Sequence, residues 1–241
     1  GASQSTAGPM FVLNTIVADA LQEIADELEG ARDVNGKAQT IVRKIAREHK
    51  RIIFNGNNYD ETWIAEAEAR GLPRFPSAVA ALHAMLDKEH VQVFRRQKVL
   101  SRAELKARYE ILLANYSKTI HIEALTLLRM ARSQILPAVL AYAGQLGRAA
   151  MDVEEAGASA QTHTDLLEAV TRHAAALQEG IGRLTTAMDA AAAMAGPRRQ
   201  AEAYRDRVVP AMAAVRETAD RLEVQVDAAH WPLPTYAQML F

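Results

Sequence analysis

Leu167, Val170, Ala174, Leu177, Ile181, Leu184, Met188 and Ala191 are spaced 3, 4, 3, 4, 3, 4 and 3 residues apart. A strand turns alternate residues to one side, so a 3,4 alternation lines up on a single face only in an α-helix, where it forms the a/d seam of a heptad. A seam of this length has to be covered by other helices. "AGPRR" follows it, with Gly196 placed to stop one helix and Pro197 at the first position of the next. A second stripe then runs through Tyr204, Val208, Ala211, Val215, Leu222 and Val226, with Pro210 as a bend. The spacing predicts a long antiparallel helical hairpin over about 163–228, each arm about 45 Å long at 1.5 Å per residue.

The third partner for these stripes lies upstream. "SRAE" is a capping box in which Ser101 starts a helix and Glu104 reaches back, and the chain then has no glycine until Gly144. Pro137 removes a backbone donor inside this run and predicts a kink. The stretch from Ile120 to Ala143 is apolar nearly all round, which predicts a central helix surrounded by others.

Before residue 100 the helices are shorter and the links irregular. Leu13, Ile16, Val17, Leu21, Ile24 and Leu28 trace one stripe that Gly30 terminates, and Ile41, Val42, Ile45, Ile52 and Ile53 trace a second. The first helix is acidic, with six acids against Arg32 from Asp19 to Asp33; the second is basic, with six bases against Glu48 from Lys37 to Arg51. Opposite charges across an Asn35-Gly36 turn predict antiparallel pairing rather than a phosphate-binding face. "FNGNNYDETW" reads as a turn leading into a short helix near Asp60; Pro73 and Pro76 break the chain again, and "SAVAALHAML" and "HVQVFRRQ" read as two short helices.

Strand-like alternation is nearly absent and aromatic residues make up 5% of the chain, so the fold class is all-α: an irregular helical part over 1–100 and a bundle of long antiparallel helices over 101–241, closed by an apolar tail over 229–241. Apolar content of 49% supplies a core, and a net charge of -1 gives no field to attract nucleic acid. The most apolar stretch carries His121, Glu123, Arg129 and Arg132, too many charges for a bilayer span, so membrane is not expected as a partner. The absence of cysteine excludes a thiol nucleophile, a thiolate metal site and a disulfide framework, and fits a cytoplasmic location.

Chemistry is sparse. Glu-x-x-His, His-Glu-x-x-His, Walker, Gly-x-Gly-x-x-Gly and Gly-x-Ser-x-Gly motifs are all missing. Asp87/His90 and Asp227/His230 have i, i+3 spacing, but isolated pairs of this kind read as surface or capping residues. Glu123 is expected to pair with a base of a neighbouring helix, His121 to be hydrogen-bonded in the core or at its rim, and Arg95, Arg96 and Lys98 to be solvated. No catalytic, cofactor-binding or metal-binding residue is assigned.

Four blocks carry a resemblance: "AGPMFVLNTIVADAL", "EHKRIIFNGNNYDETWIAEAEARGLP", "VLSRAELKARYEILLANYSKTIHIEALTLLRMARSQILPA" and "WPLPTYAQMLF". Together they resemble the carboxy-terminal part of type III glutamine synthetases over effectively the whole chain, most weakly over about 145–228. The resemblance implies a parent enzyme of nitrogen metabolism that makes glutamine from glutamate, ammonia and ATP with Mg²⁺ or Mn²⁺ in a large homo-oligomer. It places the metal and phosphate ligands on strands upstream of this chain, so none is carried over, and Ser3, Gln4 and Ser5 are only neighbours of that site. The expected role of the chain is structural, catalytically incompetent by itself, with the rest of the synthetase and neighbouring subunits as partners. Its start, "GASQSTAGPM", reads as a chain entered partway through, and the tail from Trp231 to Phe241 as a strap that docks elsewhere on the enzyme or bundle. The rival reading is a stand-alone helical bundle that binds a partner helix or a small molecule.

Overall fold

The computed structural model describes residues 5–235 and 237–240, and all its regular elements are helical. It divides into two compact units, residues 1–109 and 110–241.

In the second unit, helix α8 (Gln161–Ala192) is the organising element. Val170, Leu177, Ile181 and Leu184 of the heptad seam are almost completely buried, as are Ala174, Met188 and Ala191, while Leu167 packs at the margin. Burial of each such Leu, Ile or Val stabilises the fold by about 1.5–3 kcal/mol. The seam is covered on one side by α7 (Leu136–Glu155), the continuation of α6 (Arg102–Met130). The returning arm, α9 (Pro197–Ala203) and α10 (Val209–Glu223), covers the other and completes the hairpin. Gly196 has φ 83° and precedes Pro197 in the first turn of α9, the stop-and-start arrangement that the residue types require.

The kink expected at Pro137 takes a specific form. Residues Ala131–Ile135 make a π-turn joining α6 to α7, with Pro137 just after it. Tyr204–Val208 make another between α9 and α10, with Pro210 just after it. Each proline lacks an N–H and would clash with the carbonyl four residues back, and a wider turn relieves both problems. The π-turns also keep the seams in register. From Ala124 to the end of α7 the buried residues are Ala124, Leu128, Ala131, Ile135, Val139, Ala143 and Leu146, a 3,4 pattern lengthened by one residue at the π-turn. That extra residue keeps Val139, Ala143 and Leu146 facing α8.

The helix from Ile120 to Ala143 is not surrounded. Its line of buried residues faces the bundle, but Ile122, Leu125 and Leu140 on its other sides are exposed. The tail enters the core with Trp231, and Leu233 packs against it, whereas Met239 and Leu240 are exposed. The expected strap role of Tyr236 and Phe241 lies outside the described residues.

In the first unit, α1 (Ala7–Leu28) and α2 (Val34–Glu48) are joined by a link through Gly30, which has φ 75°. The expected Asn35-Gly36 turn is instead the first turn of α2: Asp33 is the cap, and its carboxylate accepts from the Gly36 N–H at 3.0 Å. The N-cap role of Asp33 outweighs the turn preference of Asn-Gly. Lys44 and Glu27 pair at 2.8 Å across the two helices, as the opposite charges predict. Asp60 caps α3 (Glu61–Ala69), accepting from the Thr62 N–H, and Phe54 stacks on Trp63 with ring centres 4.1 Å apart. Helices α4 (Ala78–His83) and α5 (Lys88–Arg96) follow as expected. Val91 and Phe94 of α5 pack with Leu105 to form the small core of this unit, against which Phe11 and Val12 lie. Ser101 and Glu104 make both bonds of the capping box at the start of α6.

Gly180 of α8 packs closely on α10: a Cβ there would meet Val215 Cγ2 at 3.3 Å, while Gly182 has open space. Gly180→Leu is therefore expected to destabilise the fold by about 1–3 kcal/mol. Gly182→Ala should stabilise it by up to about 1 kcal/mol, with both read from denaturant midpoints.

Lys98 is the only described residue besides glycine with positive φ, 56°, and closes α5 in a Schellman arrangement in which the N–H groups of Lys98 and Val99 donate to Arg95 and Phe94. Relief of left-handed strain predicts that Lys98→Gly raises stability by about 1 kcal/mol in the same measurement.

Candidate functional site

At 100° per residue, Leu13 and Val17 lie about 160° from Thr15 on α1, on the opposite side of the helix. Thr15 and Asp19 are buried, Asp19 against Arg96 of α5, whereas Leu13 and Leu21 are 61% and 60% exposed, and Met10, Ile16 and Val17 are more than half exposed. The packed face of α1 thus carries Asp19 and Thr15 beside Phe11 and Val12, and the stripe from Leu13 to Leu28 faces outward, with only Ile24 and Leu28 partly covered. A contiguous apolar helix face of this kind marks an interaction surface.

Asp19 explains how a polar face can be the buried one. Its Oδ1 accepts from Arg96 Nε at 2.7 Å and from Gln97 Nε2 at 2.9 Å, its Oδ2 accepts from Arg96 Nη2, and Arg96 also reaches Glu23 at 3.1 Å. The hydrogen bond from Arg96 holds the Asp19 carboxyl below the usual aspartate range, against the opposing effect of burial. Arg96 is therefore not a solvated member of a basic cluster but the clamp between α1 and α5. The sequence hides this, because the partners are 77 residues apart and acid and base are common at such positions.

The other candidates separate cleanly. His121 Nδ1 lies 2.8 Å from the Tyr204 hydroxyl, with the rings edge-on at 6.0 Å, which is the hydrogen-bonded rim position expected for it. Burial pushes the Tyr204 phenol upward, so it stays protonated. Glu123 is exposed and makes no ion pair among the described residues, contrary to the expected pairing, because its side of α6 faces away from the bundle. Asp87 and His90 are 3.9 Å apart, and His90 Nδ1 also bonds the Ala84 carbonyl. Asp227 and His230 are 3.8 Å apart, with His230 packed on Tyr142. Among the described residues no group of three or more His, Asp or Glu side chains could hold a metal ion, and no helix is long and apolar enough to cross a membrane.

The described residues thus combine helices with an outward apolar face on α1. Comparison with known proteins gives the chain a family. Residues 37–154 match the family model described as the glutamine synthetase C-terminal domain. A type-3 glutamine synthetase of Dictyostelium discoideum is 31% identical over 255 residues, covering 100% of this chain and 34% of the relative. A glutamine synthetase of Butyrivibrio fibrisolvens is 29% identical over 87% of this chain and 30% of its own length, and one of Bacteroides fragilis (strain YCH46) is 27% identical over 100% and 34%. The chain belongs to the glutamine synthetase family. It spans about a third of the length of the curated relatives it matches.

Because its folded-state pKa is depressed, Asp19 contributes stability above the ordinary aspartate range, and that contribution is lost as pH falls through the lower folded value. Asp19→Asn should lower the melting temperature by several degrees at pH 7 and flatten the acid side of the stability curve. An acid limb identical to the wild type would contradict the clamp.

Proposed function

We propose that this chain is the helical carboxy-terminal part of a type III glutamine synthetase, a longer cytoplasmic enzyme that joins ammonia to glutamate using ATP and Mg²⁺ or Mn²⁺. In this reading its role is structural. It seats against the catalytic part of the protein and against neighbouring subunits of a homo-oligomer, and the metal, nucleotide and substrate ligands come from elsewhere in the enzyme. We assign no catalytic, cofactor-binding or metal-binding residue to it, and treat residues 1–100 as continuing the catalytic domain and 101–241 as a separate long-helix bundle.

The observation that carries the proposal is the outward face of α1. Met10, Leu13, Ile16, Val17 and Leu21 form an apolar surface that the rest of the unit leaves uncovered, while Asp19 and Arg96 fix the orientation of the helix that presents it. A helix so anchored has its apolar side committed to another body. Family membership over a third of a longer relative supplies one.

In the enzyme-length protein, Leu13→Glu combined with Leu21→Glu is expected to reduce the sedimenting oligomer and lower the melting temperature, since buried unpaired carboxylates are strongly unfavourable. Unchanged assembly and melting would refute the docking role. The 241-residue chain alone is expected to release no phosphate from ATP in response to ammonia, and release above the buffer rate would overturn the structural assignment.

A further inference from the structure

Within the second unit, the chemistry that the proposed structural role leaves unused gathers in one place. A cleft of about 300 Å³ is lined by Ser117, Lys118, His121, Ala192, Gln200 and Tyr204. Three elements build it. Ser117, Lys118 and His121 lie within one turn of α6, Ala192 is the last residue of α8, and Gln200 and Tyr204 come from α9 and the π-turn after it. Tyr204 is the only aromatic residue in the second hairpin stripe, and it begins the π-turn that accompanies Pro210. Such turns are frequent where a helix departs from regular geometry to serve a site.

The polar groups of the cleft include a cation and several groups able to donate. The Tyr204 hydroxyl and His121 Nδ1 lie 2.8 Å apart, and in the tautomer in which the hydroxyl donates to Nδ1, Nε2–H is the remaining donor of the ring. Gln200 Nε2 donates to the Ala192 carbonyl at 3.4 Å, and its second N–H stays available. Buried Ser117 is committed to the Leu113 carbonyl. Lys118 is exposed and makes no ion pair among the described residues. No carboxylate lines the cleft, and the acids of the adjoining segment, Glu202 and Asp206, are paired with Arg198 and Arg205. The positive charge of exposed Lys118, the free Gln200 N–H, the His121 Nε2–H of that tautomer and a small apolar wall at Ala192 suit an anion with a short aliphatic body.

We propose that this cleft binds a small organic carboxylate, with Lys118 supplying charge, Gln200 and His121 donating to the carboxylate, and Tyr204 holding the imidazole in the donating tautomer. Tyr204 is a positioning residue, because it acts through His121. The site is independent of the α1 face, so its failure would leave the proposed structural role standing, and the reverse also holds.

The test follows the His121 ring signals by NMR in the labelled 241-residue chain, assigned with His121→Gln, during titration with succinate and, separately, inorganic phosphate. Succinate is expected to shift the His121 signals saturably in the millimolar range. Lys118→Ala should weaken that response about tenfold, the usual consequence of losing one charge-assisted contact. Tyr204→Phe, which keeps the ring, should shrink the shift at saturation, whereas Lys44→Ala in the first unit should change nothing. Lys118 is exposed, so its variant is expected to retain the wild-type amide spectrum. Absence of any shift at about 50 mM succinate, a response to phosphate alone, or a succinate response unchanged in Lys118→Ala would each overturn the proposal.

Discussion

The heptad seam of α8 is the constraint on which the second unit depends. Val170, Leu177, Ile181 and Leu184 must all be covered at once, which forces α7 and the returning arm to lie along its length. A straight helix of 3.6 residues per turn drifts off a 3.5-residue repeat, so long packed helices must supercoil or change their register. Here the covering helices change register at π-turns, and each falls just before a proline, at Pro137 and Pro210. A proline in mid-helix is ordinarily a loss of one hydrogen bond and a steric conflict. In this bundle it coincides with the register shift that keeps Val139 and Val215 against the seam.

The first unit is organised on the opposite principle. Its small core of Val91, Phe94 and Leu105 takes in Phe11 and Val12 of α1 but not the stripe from Leu13 to Leu21, and Asp19, Arg96 and Gln97 fix the orientation of α1 on α5. An ion pair with one buried partner contributes little net stability compared with apolar packing, but it specifies orientation. The consequence is a helix whose apolar side is turned outward, which is unfavourable for an isolated body and functional for part of a larger one.

Legibility followed the range of the interactions. The hairpin, its Gly196-Pro197 corner, the Ser101–Glu104 capping box and the Lys44–Glu27 charge pairing could be read because each rests on residues close in sequence or on a long periodic stripe. The Asn35-Gly36 link was misplaced by a few residues because Asp33 competes for the same turn as an N-cap. The helix around Ile122 and Leu125 could not be told from a fully surrounded one, since composition does not say which side of an apolar helix is covered. The Asp19–Arg96 clamp and the His121–Tyr204 contact join residues about eighty positions apart, and no local pattern encodes such pairs. The family resemblance was legible over the four quoted blocks and weakest over about 145–228, because long blocks in order do not depend on knowing any contact.

The central claim is that these helices serve as one part of a longer synthetase. The most direct measurement is the apparent mass, by immunoblot of source-cell extract, of the polypeptide recognised by an antibody raised against this chain. The account predicts a single band at about three times 26.4 kDa, the ratio set by relatives of which the chain covers about a third. A band near 26.4 kDa would contradict it and would mean that the cell makes the helical region as a protein in its own right.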